Sequence, residues 1–584
     1  MFQRLYELSR FLPERPTWER LNEGMPPEYD RGLAICFNPQ GEFTKIDSFI
    51  GNSSVIYRSG PPNGTDVTPC CKRAGDTANR LLRAVKNLAE YSSLSVEKRT
   101  WLEATIRCFE QHKDDIWTQV EAKMPQVGVD DKQHRAYIYW AVDSPADPVY
   151  QWPEAKNFMV DDFLRPFAKG GTRSGHCLVC DQPDKTVYGN YSVLACYNLD
   201  KPGSIAGGFT AAQAHRNLPV CGECALSLAE AFAFAERHLT STMAGQSYMI
   251  LPYSNVDEIN EELRHSSKEK PDKYYLAKTH DLVVEELALM REYANRGDQL
   301  ALYLIFFKAE NAAWRIQAEV QQLLPSRLHA LHNAAKAIER ATDLATADKE
   351  GIKFLKINAL TLKNFSGTAE SASADTFRAW LVALFEDHPV DYRHFLHHLV
   401  SKLISTGKTQ PDLLPWMTRQ AWGLYRYALL TRFISPTHPK ENNAMQQAVP
   451  NSPYGRYIET HPDFFRKPEL ATAFLTGCYA SQVASVQRQE RKSAPFTKKF
   501  IGHLLSKQHL QRLYREGHAK LAQYDKLGYV ITGLDPDLAA AWVACGDRWT
   551  ISDEEATFAF TIGYSLAYRI SQLESKHDTQ ETEE

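Results

Sequence analysis

The sequence predicts an α+β multidomain protein: an N-terminal α/β region with a four-cysteine module, then a mainly helical middle and a C-terminal helical bundle. Three observations predict it. At 584 residues the chain is too long for one core, and length alone points to several domains. Short apolar runs of strand type occur up to about residue 320, whereas after 327 the apolar residues take helical spacing. Two Cys-x-x-Cys pairs, Cys177/Cys180 and Cys221/Cys224, stand about forty residues apart, the spacing at which two knuckles close one four-thiolate site.

The elements follow in order. Phe2, Leu5, Tyr6 and Leu8 to Phe11 have helical spacing, and Gly32–Phe37, Asn38–Gly41 and Glu42–Thr44 read as strand, turn and strand. Helical patterns fill about 76–123 around Leu81, Leu82, Val85, Leu88, Trp101, Ile106 and Phe109, and Tyr137–Val142 reads as a buried strand. A Gly-rich loop, Lys169–His176, leads to the first knuckle, and Cys224 feeds a helix through Leu226, Leu228, Phe232 and Phe234. Tyr248–Pro252 reads as a strand, Leu300–Phe307 with Ala312–Val320 as a strand pair, and 327–432 as mainly helix. Prolines at 436, 439, 450 and 453 mark a linker, because proline continues neither a helix nor a central strand. Helices are expected over 470–489, 498–526 and 552–573, the last opened by a capping box of Ser552 and Glu555. The expected domains are 1–168 (α/β), 169–245 (the cysteine module), 246–434 (strand pair and helices), 435–455 (linker), 456–576 (helical bundle) and 577–584, an acidic tail without structure.

Composition narrows the class. A hydrophobic fraction of 43% and a charged fraction of 24% are those of a soluble globular protein. The longest apolar run, Leu300–Phe307, is too short for a bilayer span, and the N-terminus lacks a signal-peptide core. A cytoplasmic location is expected, and eleven cysteines, an odd number, fit a reducing compartment better than a disulfide framework. The net charge of −4 gives no overall attraction to nucleic acid, so any such binding must come from local patches.

Cys177, Cys180, Cys221 and Cys224 are therefore read as ligands of a structural Zn2+. Four thiolates fill the tetrahedral sphere, whereas a catalytic zinc keeps one position for water. Unpaired buried cysteines are the plainer alternative, and a redox pair fits less well because neither knuckle opens a thioredoxin-like βαβ unit. Between Arg466 and Lys526 twelve Lys or Arg stand against four acids. A phosphate-binding surface and a solvated helix face both fit this run; Arg488, Arg491, Lys492, Lys498, Lys499 and Lys507 are the candidates for nucleic-acid backbone contact. Within the cysteine loop, Asn198, Lys201, Arg216 and Asn217 are candidates for reading DNA, against the alternative of a structural hairpin. His394 and His398 sit at i, i+4 on a helix without the glutamate of a zinc protease, and no phosphate loop, nucleophile elbow or dinucleotide fingerprint occurs. No catalytic residue is nominated.

Taken in order, these motifs resemble the large subunit of a type I CRISPR surveillance complex (Cascade), closest to its type I-B form. The resemblance is carried by Cys177–Cys180, Asn198–Gly203, Asn217–Cys224, Leu323–Arg327, Phe474–Gly477, Pro495–Lys499 and Ser552–Glu555 with Phe560–Gly563. Asn38–Gly41 and Arg73–Ala78 also resemble the type I-C large subunit. The resemblance implies a non-catalytic subunit at the guide RNA 5′ end that recognises the protospacer-adjacent motif in duplex DNA. It further implies support of R-loop formation, contact with the displaced strand and with the backbone and small subunits, and recruitment of a helicase-nuclease. The C-terminal bundle then has small-subunit character, which an internal translation start at Met445 would release as a separate polypeptide. The rival readings are a zinc-ribbon scaffold of another nucleic-acid assembly and a metal-dependent nuclease built on His394 and His398.

Overall fold

The computed structural model describes residues 1–12, 14–60, 64–130, 132–168, 171–190, 211–254, 256, 299–310, 313–348, 351–367, 370–435, 450–528 and 533–581. Two compact units divide the chain: Met1–Phe234 with Asn311–Ala313, and Ala235–Glu310 with Trp314–Glu584. The α+β class expected from the sequence is what the fold shows.

In the first unit, helices α1 (Phe2–Ser9) and α2 (Thr17–Leu21) precede a four-stranded sheet of order β2-β1-β4-β3. Its strands are β1 (Arg31–Phe37), β2 (Phe43–Ile50), β3 (Cys70–Lys72) and β4 (Ala136–Val142). The Asn38 carboxamide closes the β1–β2 turn by accepting from the amides of Gln40 (3.1 Å) and Glu42 (2.9 Å). β1 and β4 run parallel, in register from Arg31↔Ala136 to Phe37↔Val142, so the connection between them crosses over through helices. These are α3 (Thr77–Ala89), α4 (Val96–Gln111) and α5 (Lys113–Gln126). Both central strands are buried almost end to end, as strands covered on two faces must be. Trp140 is the centre of that core, with Phe37 at 4.7 Å and Phe109 at 5.6 Å between ring centroids. Helix α6 (Pro153–Ala168) follows. Next comes a small sheet of order β5-β6-β7, made of β5 (Thr172–Gly175), β6 (Lys185–Tyr188) and β7 (Val220–Cys221), from which α7 (Gly222–His238) starts.

The second unit holds an antiparallel sheet of order β11-β10-β9-β8. Its strands are β8 (Thr240–Met243), β9 (Gln246–Ser254), β10 (Leu300–Glu310) and β11 (Ala313–Leu323). Tyr248, Ile250, Leu302, Leu304, Phe306 and Val320, alternate residues of these strands, face one large apolar core. Helices α8 (Pro325–Glu339), α9 (Ala359–Phe365), α10 (Glu370–Phe385), α11 (Tyr392–Thr409) and α12 (Leu414–Leu430) supply much of the rest. A hairpin of β12 (Thr346–Asp348) and β13 (Gly351–Lys353) interrupts the stretch expected as mainly helix. Of the expected linker, residues 436–449, including Met445, lie outside the described residues, and α13 (Pro453–Glu459) begins inside its far end.

The remaining helices are α14 (Pro468–Arg491), α15 (Lys507–Gln523), α16 (Leu534–Cys545) and α17 (Asp553–Glu581). They share the core of α8 to α12. A buried polar chain joins the two sides: Trp422 Nε1 donates to the Tyr457 hydroxyl at 2.8 Å, which donates to Asp343 at 2.7 Å, and Arg426 pairs with Asp343 at 2.9 Å. The capping box read from the sequence opens α17, with the Ser552 amide donating to Glu555 (2.8 Å) and the Glu555 amide to Ser552 Oγ (3.1 Å). The tail expected to lack structure from His577 instead continues this helix to Glu581. No proline or glycine follows Gly563 to stop it.

Candidate functional site

The two knuckles meet. One sulfur from each of Cys177, Cys180, Cys221 and Cys224 lies within 4.8 Å of every other. Cys177, Cys221 and Cys224 are buried and Cys180 half-buried. The first knuckle is a tight turn: the Asp181 amide donates to the Cys177 carbonyl and the Cys177 amide to the Gln182 carbonyl, both at 3.0 Å. Asp181 takes a left-handed conformation, φ 58°, which aspartate tolerates better than most residues. The second knuckle straddles the end of β7 and the start of α7, paired to β6 through Val187↔Cys221. The Leu178 amide donates to the Pro219 carbonyl at 2.8 Å, and the Cys221 amide to Cys177 Sγ at 3.3 Å. Gly222 begins α7 against α6, where a Cβ would stand 3.2 Å from Leu164 Cδ1.

The electrostatics of Cys177, Cys221 and Cys224 fit a cation. Hydrogen bonds from the Cys221 and Cys224 thiols hold Cys177 well below the usual thiol range. The same bonds push Cys221 up to about 11 and Cys224 higher still. The sulfurs thus compete for protons, and a cation drawing all four as thiolates removes the competition. Metal–sulfur bonds of about 2.3 Å place tetrahedral sulfurs about 3.8 Å apart, which is compatible with a set whose members all lie within 4.8 Å of one another. Burial, with Cys224 and Cys180 nearby, raises the Tyr6 phenol, which places α1 beside the centre. By contrast Cys36, Cys70, Cys71, Cys478 and Cys545 are buried elsewhere. Burial raises all five, Cys36 and Cys545 to about 11, as for thiols packed as small apolar groups.

The other sequence-nominated residues do not form one site with the cysteines. Asn198 and Lys201 lie outside the described residues. Arg216 is exposed at the end of a 3-10 turn, and the half-buried Asn217 donates its amide to Ala214 at 3.0 Å.

The basic run from 466 to 526 divides in two. Lys467 is buried and donates to Thr550 at 2.6 Å. Arg488 donates to the Tyr564 hydroxyl at 3.3 Å, Lys499 pairs with Glu516 at 2.5 Å, and Lys507 stands over the Trp549 ring at 5.7 Å. Arg491, Lys492 and Lys498 are exposed at the turn between α14 and α15 and have no ion-pair partner among the described residues. The same holds for Arg512 and Arg515, exposed on α15. Among the acids, Glu469 is buried against Thr550, Glu516 is engaged by Lys499 and Glu490 lies 3.9 Å from Lys526.

His394 and His398 do pack together, at 4.6 Å between ring centroids, and both meet the edge of Trp380. It is His397 that reaches a carboxylate, Glu554 at 2.6 Å. Among the described residues, the four cysteines are the one group arranged to hold a metal ion. Sequence reasoning missed Arg15 and Arg20, which both pair with Glu230 of α7, the helix that carries Cys224. Their signal is an odd charge inside an apolar helix, with a partner more than two hundred residues away. Among the described residues no helix is long and apolar enough to cross a membrane.

Two family models match the chain: the central domain of the CRISPR-associated protein TM1802 over residues 174–323, which takes in both knuckles, and its C-terminal domain over residues 352–577, which takes in the basic surface. No curated protein matches it. The two matches follow one another in order along most of the chain, and the protein therefore belongs to the CRISPR-associated TM1802 family.

Proposed function

We propose that this protein is the large subunit of a type I CRISPR surveillance complex, of the I-B kind, with no catalytic activity of its own. It would recognise the protospacer-adjacent motif in duplex DNA, sit at the guide RNA 5′ end beside the backbone and small subunits, support R-loop formation and recruit the helicase-nuclease in trans. Family membership supports a place in CRISPR function. The observation that carries a nucleic-acid role is the surface of Arg491, Lys492, Lys498, Arg512 and Arg515, exposed and not neutralised by carboxylates among the described residues. Cations of this kind bind phosphate whatever the sequence. Recognition of a short motif needs only a few side chains, since guide pairing reads the rest of the target; Arg216 and Asn217, with Asn198 and Lys201, remain the nominated set. The cysteine centre would hold a structural Zn2+, because four thiolates leave no position for a water. Such a protein works where the DNA is, in the cytoplasm.

The deciding experiment assembles a guide-RNA complex with and without this chain, on target duplexes that differ only beside the protospacer. Motif-dependent binding that requires the chain supports the reading. Equal binding without it favours the scaffold alternative, and DNA cleavage by the chain alone favours the nuclease built on His394 and His398.

A further inference from the structure

Cys224, Ser227 and Glu230 follow one another at three-residue steps from the start of α7, so they lie along one side of the helix. Two arginines of the N-terminal segment meet that side. Arg15 reaches Glu230 Oε1 at 2.7 Å, Arg20 Nε reaches Oε2 at 2.6 Å, and the Arg20 guanidinium also donates to Ser227 Oγ at 2.8 Å. The Glu230 side chain is 10% exposed and that of Arg20 15%, so water screens this pair poorly and its strength depends on the helix holding its position, whereas Arg15 is 41% exposed and adds less. α2 packs on α6, and α6 carries the Leu164 that Gly222 touches. The first turns of α7 are held by β7, only two residues long, by Cys221 and Cys224, and by the buried Ala225, Leu226 and Leu228.

We infer that the four-cysteine centre anchors the N-terminal residues 1–21: the metal fixes the start of α7, and α7 presents Ser227 and Glu230 to Arg20 and Arg15. Loss of the metal lets the first turns of α7 loosen, and the two arginines lose a fixed carboxylate. The inference concerns the fold of this chain and stands apart from its role in a CRISPR complex.

Hydrogen exchange on the full chain loaded with zinc, before and after removal of the metal by a chelator, tests it. Stripping is expected to raise exchange in residues 1–21 by about ten-fold or more, while β1 and β4 keep their protection. Glu230→Gln is expected to release the same residues while the protein retains its metal. Trypsin cleavage after Arg10 and Arg20 should accelerate in both cases. Unchanged protection of 1–21 in the stripped protein, or in Glu230→Gln, would overturn the inference. So would loss of protection across β1 and β4 on stripping, which would mean that the unit unfolds as a whole.

Discussion

Gly477 and Gly563 mark the closest approach of two helices, and each is required by the other's backbone. A Cβ on Gly477 would stand 2.1 Å from the Phe560 carbonyl oxygen, and one on Gly563 2.0 Å from that of Phe474. Gly477→Ala or Gly563→Ala should therefore destabilise the second unit by about 3 kcal/mol or more, because backbone cannot yield as a side chain can; urea unfolding of each variant measures it. Asp343 is a different kind of position. Its carboxylate accepts from Tyr457 and Arg426 at once, so Asp343→Ala leaves two polar groups without a partner and should cost about 3 to 5 kcal/mol, with Asp343→Asn costing less. Three histidines of the second unit, His332, His398 and His461, have their pKa values lowered from 6.5, each chiefly by burial. The unfolded chain then binds more protons than the folded one as pH falls below 6.5. Their contribution to stability is present above that value and lost as pH falls through the depressed folded values. Melting should occur at lower temperature at about pH 5.5 than at about pH 7.5. His461→Gln, which removes the group facing Arg426 and Asp343, should narrow the gap.

The helix pair α14–α17 explains why the C-terminal motifs of the resemblance have the residues they do. Phe474–Gly477 and Phe560–Gly563 face each other across the contact just described. Pro495–Lys499 forms a 3-10 turn that buries Phe496, whose amide donates to Gln487 Oε1 at 3.0 Å. These motifs are read in the sequence as a family signature, and the structure assigns them to packing. Arg491, Lys492 and Lys498, in and beside these motifs, are exposed, and the proposed function would put nucleic acid against them. Replacing Arg491, Lys492 and Lys498 together by alanine should weaken single-stranded DNA binding and reduce the log–log salt slope by about 0.7 per lost contact. A salt titration of the complex checks this, and an unchanged slope would show that the three residues touch no phosphate.

At the scale of the molecule, the two units should part in their response to metal. Stripping the centre removes the metal's binding free energy from the part of the first unit that it holds, residues 1–21 and the start of α7. It should lower that unit's melting transition and leave the transition of the second, whose core contains none of the four cysteines; calorimetry with and without chelator resolves the two. The sequence by itself determined the α+β class, most of the elements, the capping box of Ser552 and Glu555, and the four cysteines as a set. Each of these rests on local spacing: a strand or helix period, a cap three residues from its partner, or a pair of knuckles whose residue type admits few partners. Only the tertiary structure decided which cations remain exposed, since Lys467, Arg488, Lys499 and Lys507 find partners far along the chain. The same is true of the polar chain from Trp422 to Asp343 and of the clasp of Arg15 and Arg20 on Glu230. Period and spacing record what a residue's near neighbours require of it, whereas pairing between distant residues is set by how packed elements bring their side chains together.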